Sequence, residues 1–351
     1  MNSSQNKSRN NLLLGIVVSG LVLGAAAMLT PSSRALAAGK SKGVEVEIPY
    51  EATVLKTSLT SPLYVNDASG GMVVSDAAGG VYSVSLSGKT TELAGKSKVK
   101  HPAGVAKAPS GFGAGGQVYV LASGDDAAGP CEVDAIDSSG GVSTFAKLPD
   151  AAGGKPTDCR DLQFGAAGTP YAGKLYAATA GNSTIYAIDS SGKAAAFGSF
   201  DKPIAFDLTT IGFAPASDPK APNMMLVGMR PKMQGAAKVG RIGVVGPDGK
   251  LKDDPYLVGF IRPSGFGTSP ANWGSYGDTF FIADFGKPAS AEGGTTDGSL
   301  YRVYKGVARP FASNLADPTS MKFIGGKMVI ADPAIKGAPG SGGIVVISSL
   351  L

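Results

Sequence analysis

The chain has 351 residues, 32 of them lysine or arginine and 27 aspartate or glutamate, with one histidine, two cysteines and a formal charge of +5. Three of those positive charges, Lys7, Arg9 and Arg34, fall in the first 37 residues, which hold no acid, so the rest stands at +2 and lacks the basic footprint of a nucleic-acid binder. A hydrophobic fraction of 43% with 51 glycines excludes a disordered chain, and two cysteines exclude a disulfide-dense scaffold.

The N-terminus reads as a leader. Lys7 and Arg9 precede an apolar run over 12–29, and Ala35-Leu36-Ala37 follows as a small-x-small cleavage triplet. An uncleaved anchor is the alternative, because the run is about as long as the shortest membrane-spanning helix. Residues 1–37 are thus expected to be a signal peptide, 38–44 a short linker and 45–351 a single exported domain, periplasmic or secreted, with no membrane contact after cleavage.

After the linker, 43–59 (GVEVEIPYEATVLKTSL) reads as a strand without an obvious partner. A unit then recurs: a short strand opened by a turn, a second strand, a polar loop, a third strand, a Gly-Lys or Gly-Gly turn, and a fourth strand. The openings lie at Ser61-Pro62, His101-Pro102, Thr157-Asp158, Phe206-Asp207, Pro263-Ser264 and Asp317-Pro318, at intervals of 40 to 58 residues. That period matches four-stranded propeller blades with loop insertions. The sixth copy ends after its third strand, and the strand at 43–59 can supply its fourth. Pairing the two ends leaves no open sheet edge, so the sequence predicts an all-β, six-bladed β-propeller closed by an N-terminal strand. A closed ring needs no partner to hide an edge, and a monomer is expected.

Gly111, Gly113 and Gly116 fit G-x-G-x-x-G, yet a strand over 118–121 follows them where a phosphate site requires a helix. They are expected to build the turn between the first two strands of the second blade.

The phrase Pro-x-Gly-Val-Ala at 102–106 and the strand endings at Asp76, Asp284 and Asp332 resemble those of the NHL-repeat and gluconolactonase/regucalcin-like propellers; residues 269–286 look like a phrase common in exported bacterial members. The resemblance implies fold above all, since one propeller hosts many chemistries. Its hydrolase branch implies a divalent cation, usually Ca²⁺, at the channel mouth. Here the first blade opens with Ser61-Pro62-Leu63-Tyr64-Val65-Asn66-Asp67, without that branch's Gly-Glu-Gly-Pro phrase. Pro247-Asp248-Gly249 falls in a turn between third and fourth strands instead of at a blade opening.

In a propeller the innermost strands line the channel, while the connections between blades and the loops between second and third strands form the upper face. On that basis His101, Arg160 and Asp207 are the catalytic candidates. Asn66, Asp67, Asp158, Asp161, Ser264 and Thr319 are expected to contact a ligand, and Asp158, Asp161 and Asp207 to hold a calcium ion, which requires them to converge. Asp125, Asp126, Arg230, Lys232 and Lys287 join from the long loops, while the repeated Asp76, Asp284 and Asp332 are expected to be structural. Cys131 and Cys159 lie on the same face of neighbouring blades and are expected to pair in an oxidising compartment. Three functions remain open: binding of a small ligand, glycan or protein on the upper loops; a calcium-dependent lactonase or esterase; and an oxidoreductase or lyase using the lone histidine.

Overall fold

The computed structural model describes residues 44–351 apart from 69, 114, 201–205, 232–238, 287–297 and 336–341, together with the backbone of 37–38. The leader, Lys232, Lys287 and most of the long loops of blades 4 and 5 lie outside the described residues. Among those described, no helix is long and apolar enough to cross a membrane.

Six antiparallel sheets follow one another around a channel. Blade 1 comprises Pro62–Asp67, Met72–Asp76, Val81–Val84 and Thr90–Ala94. Blade 2 comprises Pro102–Lys107, Val118–Ala122, Glu132–Ile136 and Val142–Lys147, and blade 3 Cys159–Phe164, Leu175–Thr179, Thr184–Ile188 and Ala194–Ser199. Blade 4 runs through Phe206–Phe213, Met225–Pro231, Gly240–Val245 and Leu251–Phe260, and blade 5 through Pro263–Thr268, Phe280–Asp284, Gly298–Tyr304 and Val307–Leu315. Blade 6 takes Ser320–Ile324, Lys327–Asp332 and Gly343–Ser349 from the C-terminus and Tyr50–Leu55 from the N-terminus.

The burial pattern explains the composition. A second strand such as Val118–Ala122 or Phe280–Asp284 is covered on both faces by neighbouring blades and is buried throughout. The outer strands Thr90–Ala94 and Ala194–Ser199 carry two and three exposed residues, because solvent reaches them. Each gap between blades has its own apolar layer, as where Leu121 and Val133 of blade 2 meet Leu162, Leu175 and Tyr186 of blade 3.

Closure follows the expected pairing, with Ile344↔Leu55 through Ser349↔Tyr50 in register. The segment expected as one strand is two. Glu45–Val46 first pairs with Ser313 and Ala312 on the outside of blade 5, and the chain then turns at Ile48-Pro49 to complete blade 6. The Tyr50 ring lies 4.5 Å from Trp273 and 5.2 Å from Phe311. Glu47 accepts a 2.7 Å hydrogen bond from the Tyr276 hydroxyl and pairs with Arg302 at 3.4 Å.

The Pro-x-Gly phrase has a packing cause. A Cβ on Gly104 would stand 2.2 Å from the Leu162 nitrogen, and one on Gly265 2.6 Å from the Met321 nitrogen, both on the next blade's innermost strand. The string at Gly111, Gly113 and Gly116 adopts positive φ in the turn between two strands. Asp76 accepts from the backbone N–H groups of Thr60, Ser61 and Ala78, and Asp332 from Ala316, Asp317 and Ala334, so these carboxylates hold the blade connections.

Candidate functional site at the channel mouth

The residue just before each innermost strand stands at the upper rim: Ser61, His101, Asp158, Arg262 and Thr319 precede Pro62, Pro102, Cys159, Pro263 and Ser320. His101 and Asp158 reach this place with φ of 46° and 55°. That left-handed conformation is costly for residues other than glycine and turns the chain sharply into the strand. Inside the rim lies a cavity of about 290 Å³ lined by Tyr64, His101, Asp158, Arg160, Arg262 and Thr319, among others. Cys131–Cys159 closes one side of the rim as a disulfide with a Cα–Cα separation of 5.7 Å, as expected.

Cations outnumber anions at this mouth. Asp158 pairs with Arg160 at 2.6 Å, and Asp207 with Arg230 at 3.1 Å. Arg262 makes no ion pair among the described residues; it lies over the Phe285 ring at 4.3 Å. Burial pushes the Arg262 guanidinium down to about 10, and repulsion from Arg160 and Arg230 adds to this. Arg160 Nε is buried without a hydrogen-bond partner among the described residues. Deeper in the channel, burial raises the Tyr64 hydroxyl above its usual range, with Asp161 adding to the effect. Burial also lowers the Lys322 ammonium, against the attraction of Asp161.

His101, Arg160, Asp158 and Thr319 line one cavity, whereas Asp207 is not among its lining residues. The expected calcium trio is not assembled. Asp161 is 3% exposed and already accepts from Thr210 Oγ1 at 2.8 Å, Ile211 N at 3.1 Å, Leu162 N at 2.8 Å and Gln163 Nε2 at 2.9 Å, joining blade 3 to blade 4. Asp158 and Asp207 are each held by an arginine, and among the described residues no group of three or more His, Cys, Asp or Glu is arranged to hold a metal ion.

Other candidates have structural partners. The Ser264 hydroxyl donates to Pro318 O, the Thr319 hydroxyl to Leu63 O at 2.5 Å, and Asn66 Nδ2 to Val105 O at 3.0 Å. Each bond stitches one blade to the next. Asn66 and Asp67 also end the innermost strand that Pro62 begins. At about 3.3 Å per residue, this puts them a strand's length from the mouth. Asp125 pairs with Lys100 at 2.8 Å on the outer rim. Sequence reasoning missed Arg262, Tyr64 and Lys322. The signal for Arg262 was present, since it precedes Pro263 as His101 precedes Pro102.

No protein-family model matches the chain, and no curated protein sequence does. Solved structures do. A glucose dehydrogenase matches with a TM-score of 0.58 at 12% identity, over 84% of this chain and 98% of its own. A Trichoderma reesei protein of carbohydrate-active enzyme family AA12 matches with a TM-score of 0.61 at 13% identity, over 89% and 98%. The soluble aldose sugar dehydrogenase of Escherichia coli matches with a TM-score of 0.54 at 13% identity, over 86% and 99%. At these identities the likeness is one of fold.

Proposed function

We propose that this is an exported propeller whose channel mouth binds a small carboxylate-bearing ligand, with sugar acids as the ligand class. The observation that carries this is the excess of guanidinium groups in the lining: Arg160 and Arg262 stand against Asp158, and Arg262 makes no ion pair among the described residues. A carboxylate seated there takes charge-assisted hydrogen bonds from Arg262 and from the Arg160 Nε that lacks a partner. His101 lines the same cavity and presents a polar group to a sugar body. The leader and the rim disulfide support export to an oxidising compartment. The sugar-oxidising enzymes named among the solved structures support a carbohydrate-derived ligand.

Calorimetric titration of the secreted chain with D-gluconate tests the reading. Saturable binding is expected, weakened roughly tenfold to a hundredfold in Arg262→Met, the loss typical of a hydrogen bond to a charged group. Binding is expected to hold through neutral pH, because the lowered Arg262 guanidinium still carries its charge there. Absence of saturable binding, or equal affinity in the variant, contradicts the proposal.

A second reading, catalysis at the same mouth, rests on His101 lining the cavity beside Asp158 and Arg160. An imidazole there can activate water against a lactone carbonyl, and the product of that reaction is a sugar acid. Turnover of D-glucono-1,5-lactone that His101→Gln abolishes while gluconate still binds saturably is the outcome expected of it. No turnover above buffer leaves binding alone.

A further inference from the structure

A second cavity, of about 470 Å³, lies between blades 3 and 4 and shares no residue with the mouth. Its volume falls in the range of small-molecule sites. Three rings face it: Phe197 and Phe200 from the end of blade 3, and Phe206 from the start of blade 4. Met229 and Leu251 complete the apolar lining.

Exposed Asp248 and Lys250 stand at its edge, and among the rings the fold places one largely buried ion pair. Arg241, on the third strand of blade 4, approaches Asp254, on the fourth, with Nε and Oδ1 3.0 Å apart, and both side chains are largely buried at 16% and 10% exposure. The distance is that of a hydrogen bond, but the alignment is not. Arg241 Nε and Nη2 and Asp254 Oδ1 are all buried without a hydrogen-bond partner among the described residues. The guanidinium carbon sits 3.8 Å above the centre of the Phe206 ring. Buried polar groups without partners are costly and rare in native proteins. Two of opposite character, side by side in an aromatic cleft, define a donor beside an acceptor.

We propose that this cleft is a binding site for a neutral, planar aromatic molecule whose edge carries an acceptor next to a donor, as in an aryl carboxamide. The carbonyl oxygen takes the Arg241 Nη2 hydrogen, the amide N–H donates to Asp254 Oδ1, and the ring packs among Phe197, Phe200 and Phe206. Neutrality follows from the lining, where Arg241 and Lys250 balance Asp254 and Asp248: a carboxylate pays repulsion from Asp254 and a cation pays repulsion from Arg241. The burial that raises the Asp254 carboxyl, against the pull of Arg241, accords with a site dry enough for such edge-on recognition.

Saturation-transfer NMR and calorimetry with naphthalene-2-carboxamide test this on the full secreted chain, with naphthalene-2-carboxylate as the control. The amide is expected to bind saturably and at least tenfold more tightly than the carboxylate. The double variant Arg241→Met/Asp254→Leu, which removes both charges while keeping apolar bulk, is expected to weaken amide binding at least tenfold. Phe206→Leu, which alters no charge, is expected to weaken it severalfold and serves should the double variant fold poorly. No saturable binding, an equal preference for the carboxylate, or unchanged affinity in these variants overturns the proposal. So does a comparable loss in Arg262→Met, which would place the probe at the mouth.

Discussion

His101, Asp158 and Arg262 occupy equivalent places at the starts of three blades, yet they differ in environment. His101 is exposed, Asp158 is paired with Arg160, and Arg262 is sunk beside two other guanidinium groups. A residue's position in the repeat was legible in the sequence, because the turn marks it and a proline follows His101 and Arg262. Its electrostatic neighbours were not, because Arg160, Arg230 and Arg262 come from three different blades and meet only across the channel. The same holds for Asp161, whose acidic character suggested a metal ligand and whose four donors, two of them from blade 4, make it a strut. Asp332 offers a test at this scale. Burial raises its carboxyl to about 6 despite three backbone donors that oppose the shift. The folded chain therefore holds this proton more tightly than the unfolded one. The associated stability is full below about pH 4 and lost as pH rises through about 6, amounting to about 3 kcal/mol at most. Denaturant unfolding across that window is expected to show a decline that Asp332→Asn lacks; parallel profiles contradict it.

At the scale of the element, the innermost strand is the unit that fixes blade spacing. Gly104 sits where the next blade's backbone passes, so Gly104→Ala forces a Cβ against Leu162 N and the Asp161 backbone. Backbone cannot rotate away as a side chain does, and the expected loss is about 3 kcal/mol, at the upper end for overpacking. A melting temperature unchanged from that of the parent chain would show that the blades part easily. Hydroxyls do the complementary work: those of Thr209, Ser264 and Thr319 reach the carbonyls of Pro263, Pro318 and Leu63. These small residues thus serve the ring, whereas the sequence marked Ser264 and Thr319 as ligand contacts only for their place at the blade openings. The Cys131–Cys159 bridge spans 28 residues of sequence. Replacing both cysteines by alanine is expected to cost about 3–4 kcal/mol in the chain-entropy account, read by urea unfolding, and to weaken gluconate binding by loosening Asp158 and Arg160. A variant equal in stability to the parent would assign the bridge no structural role.

For the whole molecule, the number of blades and the closing strand were readable because the repeat period and the incomplete sixth copy are properties of the chain itself. The two-step path of the N-terminal segment was not, since Glu45–Val46 has too few residues to signal a separate strand and depends on Tyr50, Trp273 and Tyr276 meeting across blades. The result is a ring with one covalent seam missing, held shut by backbone pairing and an aromatic cluster, with an arginine-rich mouth on one face. That mouth is the centre of the account, and melting temperature with added ligands tests it directly. A ligand that binds only the folded chain stabilises it by about 2.7 kcal/mol at a hundredfold excess over Kd. D-gluconate is expected to raise the melting temperature of the chain by several degrees, Arg262→Met to remove the shift, and calcium or EDTA to change neither. A rise with calcium that EDTA reverses, with indifference to gluconate, would contradict it and return the mouth to the carboxylates.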